Sequence, residues 1–436
     1  MNCRSFWLIL WLWLVYVPSA SPLAQAKAKF KVSAPEQKVS IQKSKPVVLQ
    51  VIPDLETGGA ERTTVDIAKA LTDAGWTALV ASEGGRLVAE LESFGAHHIT
   101  LPVKSKNPLT IWRNTARLGQ VIRDRNVDLI HARSRAPAWS ALLAARREKI
   151  PFVTTYHGVY NQKSRIKAFY NSVMARGDAV IANSGYTANL IQERNPVAAG
   201  KITVIHRGSD LGALAPEAVS SERRNTLAEA WKVDANRPII LNMGRLTAWK
   251  GQGIVIDAMA KLAEAGDSQT IAILAGDAQG RDKYLAELKA QIAGHGLEGR
   301  ILLVGHCADV PAALSLADVA VVASVEAEAF GRAAVEAQAA HVPVIVSDLG
   351  AVPETVLAPP ERSDDERTGW RVPPGNSEAL AATLRQALDL KGEDRQALTD
   401  RAARHVSENF SVEAMCEKTL NVYRSLLSDQ DLDQLR

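Results

Sequence analysis

Cysteine is scarce: 3 residues in 436, Cys3, Cys307 and Cys416, far apart and without a CxxC. That excludes a disulfide framework and a paired-cysteine zinc site, and makes the cytoplasm the default compartment. The apolar run near the start, Phe6 to Val17, has 12 residues, whereas a spanning helix needs about 20. There is no Walker GK[ST] loop and no GxGxxG. RNP, zinc-finger and basic-region patterns are missing too, so no nucleic acid is expected as a partner.

Acidic residues are absent from Lys149 to Gly177, where Lys149, Lys163, Arg165, Lys167 and Arg176 alternate with Phe152, Tyr156, Tyr160, Phe169 and Tyr170. Such a mixture suits an anionic membrane surface, at roughly 1 kcal/mol per cation near the headgroups; a solvated helix face is the other reading. The net charge of +3 hides a division, because the chain carries +13 up to residue 212 and −10 beyond it. The two halves are therefore expected to meet different partners.

The first 26 residues combine an early cation, the apolar run, Pro18 and a small-residue Ala24-Gln25-Ala26 site. This has the form of a secretory signal or a short membrane anchor, and a translation start further on is a third reading. Residues 27 to 45 read as a disordered linker, so residues 1–45 are set apart as leader and linker.

From Pro46 the pattern is regular. "VVLQVI", "TALVAS", "VDLIHA", "PFVTTY", "AVIANS" and "ITVIH" are short apolar runs separated by helical stretches or loops, the signature of a parallel sheet between helices. One Rossmann-like domain is expected over 46–212. The alternation restarts with "RPIILNMG", "TIAILAG", "RILLVG", "DVAVVAS", "VPVIVSD" and "GWRVPP", giving a second domain over 213–410. Two helices follow that sheet, the last being "SVEAMCEKTLNVYRSLL", within a terminal segment 411–436. The fold class is α/β, two doubly wound domains facing across a cleft. In such sheets ligands bind beyond the carboxyl ends of the strands.

Four loops at strand ends carry candidate chemistry. In "PDLETGGAER", Gly58 and Gly59 precede a helix whose N–H groups could meet an anion, unless the pair only makes a tight turn. His157 follows "PFVTTY" and His131 ends "VDLIH"; each is placed to face the cleft, with His131 the weaker candidate. In "NMGRLTAWKGQG", Arg245 and Lys250 sit between Gly244 and Gly251, a planar fork and a point charge suited to a diphosphate. In "EAEAFGRAAVEAQAA", Glu328 lies in the loop and Glu336 in the second turn of the helix. Their carboxylates could accept from vicinal hydroxyls while the backbone of Phe330 and Gly331 holds phosphate.

The segments "GGAER", "YHG", "GRLTAWKG" and "EAFGRAAVEAQAAHVPVIVSDLGAVPET", in this order, resemble glycosyltransferase family 4, retaining enzymes of GT-B fold that use nucleotide sugars, among them bacterial lipopolysaccharide and envelope-glycan glycosyltransferases. The likeness runs from about residue 46 to 427, and Glu-x7-Glu is its most specific part. It implies that Gly59, Gly244, Arg245, Lys250, Gly276, Glu328, Phe330, Gly331 and Glu336 hold the donor. His157, Glu328, Arg245 and Lys250 are then the groups nearest the reaction, and Gly58, Gly59, Glu61, His131 and Arg133 line the acceptor side. A last helix crossing back to the first domain is implied as well.

The resulting expectation is a retaining hexosyl-type transferase acting from a nucleoside-diphosphate sugar on a glycan or glycolipid acceptor, with no metal and no cofactor. It would be cytoplasmic, peripheral on the inner face of the inner membrane. A nucleotide-sugar 2-epimerase on the same fold and a periplasmic two-lobed binding protein are the alternatives. Two features depart from the family pattern. His341 stands where a glycine usually ends the helix, and a signal-like leader conflicts with a cytoplasmic donor.

Overall fold

The computed structural model describes residues 45–56, 58–158, 160 and 164–434. Residues 1–44 of the leader and linker, and Lys163, lie outside the described residues. Short aliphatic runs that are buried on both faces pair into parallel sheets. The first has β1 Val47–Val51, β2 Thr77–Ser82, β3 His97–Thr100, β4 Leu129–Ala132, β5 Phe152–Tyr156, β6 Ala179–Ala182 and β7 Ile202–Val204, in the order β3-β2-β1-β4-β5-β6-β7. The second has β8 Ile239–Met243, β9 Ile271–Ala275, β10 Ile301–Gly305, β11 Val319–Val322, β12 Val344–Ser347 and β13 Trp370–Val372, in the order β10-β9-β8-β11-β12-β13.

Both sheets reverse their winding in the middle, at the β1/β4 pair and at the β8/β11 pair. Loops after these strands diverge to opposite faces and leave a crevice, the usual ligand site of a doubly wound sheet.

Two elements differ from the sequence expectation. Strand β3 escaped it because "HHIT" is a short edge with its two end residues exposed, so it lacks an apolar run. Three helices follow the second sheet rather than two: Ser377–Asp389, Gly392–Asn409 and Val412–Gln434. Extended backbone at Leu390 and Lys391 and a positive φ at Gly392 divide the first pair. Past the helix Arg332–Ala339, His341 does adopt the left-handed conformation, at φ 54°.

The last helix returns to the first domain. Its Met415, Cys416, Leu420 and Tyr423 join a core with Ile67 and Leu71 of the helix Gly59–Asp73. The two chain crossings between domains lie side by side, since Ser209 N–H donates to the Phe410 carbonyl at 2.9 Å. Gly208 permits this, because a Cβ there would stand 2.5 Å from the Val412 Cα.

A latch spans the domains at the cleft. Glu354, in the turn after β12, accepts from the Gly185 and Tyr186 N–H groups, each at 2.7 Å, and its Oε2 lies 3.1 Å from His206 Nε2. The two N–H groups open the helix Gly185–Arg194, where a carboxylate also meets the positive end of the helix dipole. Burial opposes the charge on Glu354, but the His206 and backbone hydrogen bonds hold its carboxyl below the ordinary range. A depressed carboxyl stabilises above its unfolded value and loses that contribution as pH falls through the folded one. Small-angle scattering at pH 7 should therefore show a larger radius of gyration for Glu354→Gln. The wild type should expand only below the ordinary carboxylate range, and equal radii at pH 7 would show that the latch holds nothing.

Candidate active site

The crevice of the second sheet is built by glycines that let loops touch. After β8 a single turn, Ala248–Lys250, ends at Gly251, whose φ is +70°. A Cβ on Gly251 would lie 1.9 Å from the Ala323 carbonyl oxygen, so no other residue lets this turn seat on the end of β11. Val325 N–H then donates to the Trp249 carbonyl at 2.8 Å. On the other side, a Cβ on Gly350 would stand 2.6 Å from the Glu328 carbonyl oxygen, and Ala351 N–H donates to that oxygen at 2.9 Å. The Glu328 backbone is thereby fixed between β11 and β12.

Its side chain meets Lys250: Nζ donates to Glu328 Oε1 at 2.7 Å, with both side chains largely buried. Ser324 Oγ donates to the same oxygen. Lys250 Nζ also lies 4.5 Å from the centre of the Trp249 ring, and its methylenes run about the position a Gly244 Cβ would reach, at 3.7 and 3.8 Å. Arg245 is exposed and makes no ion pair among the described residues. Gly276 acts through packing, since a Cβ there would come 1.9 Å from the Gly244 carbonyl oxygen.

Beyond Glu328 the chain reaches Gly331, at φ +89°, which precedes the helix Arg332–Ala339 with no side chain capping it. The Phe330 ring turns inward onto Phe410, with centroids 5.5 Å apart, so its backbone alone is available to a ligand. Glu336 is buried, and Arg332 Nε donates to it at 2.6 Å. Burial pushes its carboxyl above the ordinary range against the pull of Arg332 and Arg207.

Across the cleft, Gly58 and Gly59 start the helix Gly59–Asp73. The Glu61 carboxylate folds back over Gly58. His157, past the end of β5, has both ring nitrogens buried and without a partner. Burial, then Arg133, Arg207 and His131, hold its pKa well below the ordinary value, so it is a neutral imidazole. His131 corrects the sequence reading. It is wholly buried, with Nδ1 at 2.5 Å from Tyr423 Oη and Nε2 at 2.8 Å from Thr155 Oγ1, and so it ties the returning helix to the sheet instead of facing an acceptor. Arg133 and His157 do line one pocket, together with Thr63, Thr155, Asn183 and Arg207. Arg207 was not singled out from the sequence, although it follows a strand and precedes Gly208, as Arg245 follows Gly244.

The geometry agrees with what the chain is similar to. Residues 57–212 match the family model described as Glycosyltransferase Family 4, and residues 223–405 match Glycosyl transferases group 1. The lipopolysaccharide core biosynthesis mannosyltransferase LpsB of Rhizobium meliloti is 30% identical over 58% of this chain and 68% of its own. A glycosyltransferase structure from Rickettsia africae is 34% identical, with a TM-score of 0.80, over 88% of this chain and 99% of that one. HepE of Anabaena in complex with UDP-glucose is 27% identical, with a TM-score of 0.70, over 87% and 99%. With two Rossmann-like domains joined as these are, the chain is a glycosyltransferase and belongs to glycosyltransferase family 4.

Proposed function

We propose that the chain is a retaining enzyme that moves a hexose-type sugar from a nucleoside-diphosphate sugar to an envelope glycan or lipid acceptor. The observation that carries this is the buried Lys250–Glu328 pair beside the unpaired Arg245, at the strand pair where the second sheet reverses. An incoming diphosphate offers Lys250 and Arg245 oxygens of higher charge than one carboxylate does. Glu328 is then released to accept from sugar hydroxyls, and Glu336 is near enough to the Gly331 turn to accept from a ribose.

As negative charge grows on the leaving diphosphate, the two cations and the uncapped N–H groups after Gly331 stabilise it. Neutral His157 can donate to a sugar hydroxyl. Among the described residues the pocket around His157 is walled by no carboxylate, which supports front-face attack. In that step the acceptor oxygen bonds the anomeric carbon on the face the diphosphate leaves, and the acceptor proton passes to the leaving phosphate oxygen. The cations supply the charge a metal would otherwise bring.

The UDP-glucose complex of HepE supports a nucleotide-sugar donor, and the lipopolysaccharide mannosyltransferase supports a hexose and an envelope acceptor. The relatives reported carry transferase names, which does not favour the epimerase alternative. Lys250→Ala and Glu328→Gln should each lower transfer or hydrolysis of a nucleotide sugar by about 10²–10³-fold, with EDTA without effect on the wild type. Wild-type rates in both variants would overturn the donor site.

We also propose a peripheral stance on an anionic membrane. Among the described residues no helix is long and apolar enough to cross a membrane. The first domain does expose Leu109, Trp112 at 64% and Ile166 at 70%, close in sequence to the exposed Lys106, Arg113, Arg165 and Lys167. Apolar tips among cations suit headgroup insertion. Vesicles rich in phosphatidylglycerol should co-sediment the protein where phosphatidylcholine vesicles do not, and the double variant Trp112→Ser, Ile166→Ser should bind markedly less. Equal binding to both lipids would remove the electrostatic part of the account.

A further inference from the structure

The pocket beneath His157 is lined by two guanidiniums that form no ion pair with a carboxylate among the described residues. Arg133, following β4, is 2% exposed. Among the described residues it forms no ion pair; its Nη1 donates to Thr155 Oγ1 at 3.5 Å, and its Nε is buried without a partner. Arg207, following β7, is half-buried, likewise without an ion pair among the described residues, and its Nε too is buried and unpartnered. Both guanidiniums face the same pocket as the two unpartnered ring nitrogens of His157 and the unpartnered Asn183 Oδ1.

Buried cations ordinarily have an anion beside them, and an unsatisfied N–H in a protein interior is costly. The carboxylates nearby do not fill the role: Asp66 favours the charged form of Arg133 through space, but the cation it bonds is Arg62. Glu61 and Glu336 are close enough to bias Arg207 toward its charged form, yet burial and the neighbouring Arg332 and Arg133 still bring it down to about 10, and neither carboxylate bonds it. The Arg207 guanidinium lies over Gly59, its Nη1 2.6 Å from where a Cβ there would stand. The helix start at Gly58 is a different place, occupied by the Glu61 carboxylate.

We propose that this pocket is a subsite for an oxyanion carried by the acceptor, the carboxylate of a sugar acid or the phosphate of a sugar phosphate, gripped between Arg133 and Arg207. The proposal rests on the assignment of this side of the cleft to the acceptor. The oxyanion takes guanidinium N–H groups left unpartnered in the free protein, and an adjacent acceptor hydroxyl donates to Asn183 Oδ1 or meets His157. A planar guanidinium accepts either oxyanion in a paired geometry, so the two sources share one chemistry here. An acidic acceptor would thus be selected over a neutral one by charges set into the strand ends themselves.

The test uses the full chain saturated with UDP, so that the donor cations are occupied. Glucose 6-phosphate, methyl glucuronoside and neutral methyl glucoside are titrated by calorimetry into wild type, Arg133→Gln and Arg207→Gln. At least one anion should bind the wild type about tenfold or more tightly than methyl glucoside, and each variant should lose about tenfold of that. The tighter anion tells carboxylate from phosphate. Neither anion exceeding methyl glucoside, or both variants matching wild type, overturns the subsite. Arg207→Gln, at a half-buried position, decides the matter should Arg133→Gln fail to fold by circular dichroism. If UDP itself does not bind, the donor assignment fails, and the same titrations without UDP still decide the subsite.

Discussion

The site is organised by one buried ion pair, Lys250 with Glu328. Removing two charges from water costs several kcal/mol per ion, and the pair offsets this only while its geometry and extra hydrogen bonds hold. Much of the surrounding structure maintains that geometry. Gly251 lets the lysine turn seat on the end of β11, Gly350 presses β12 against the Glu328 backbone, and Ser324 donates to the carboxylate. Losing one partner would leave the other buried and uncompensated. A diphosphate donor is a ligand that can separate the pair without that penalty, since it brings anionic oxygens for the lysine and hydroxyls for the glutamate.

The two halves of the cleft treat charge differently. In the second domain a cation and an anion already satisfy each other, with Arg245 exposed beside them. In the first domain Arg133 is buried and Arg207 half-buried, neither with an ion pair among the described residues, and burial keeps His157 neutral beside them. The division of net charge along the chain, positive to residue 212 and negative beyond, thus has a local counterpart in the cleft. Glu354 joins the halves by reaching from the second domain to a helix start in the first.

Much of this was legible in the sequence, for a definite reason. Strands buried on both faces read as short apolar runs, and of the thirteen strands among the described residues twelve read as such runs, the half-exposed edge β7 included; the polar edge strand β3 did not. Glycines marked the loops that touch, and Arg245, Lys250, Glu328 and Glu336 stood out as charges beside them. Direction within a doubly covered strand was not legible. In "LIHA" every residue is buried, so alternation gives no sign of which way His131 points, and it proved to brace Tyr423. Long-range partners were equally invisible: nothing local to Glu354 announces the N–H groups of Gly185 and Tyr186. Arg207 did carry a signal, a cation at a strand end beside glycine, the same one that identified Arg245.

The central claim is that the donor opens the Lys250–Glu328 pair and takes both partners. A crystal structure with an intact, slowly hydrolysed nucleoside-diphosphate sugar tests this most directly. The account expects Lys250 Nζ on a diphosphate oxygen and the Glu328 carboxylate on sugar hydroxyls, with the 2.7 Å contact between them lost or shared. A bound donor that leaves this contact untouched and its diphosphate away from Lys250 and Arg245 would contradict it.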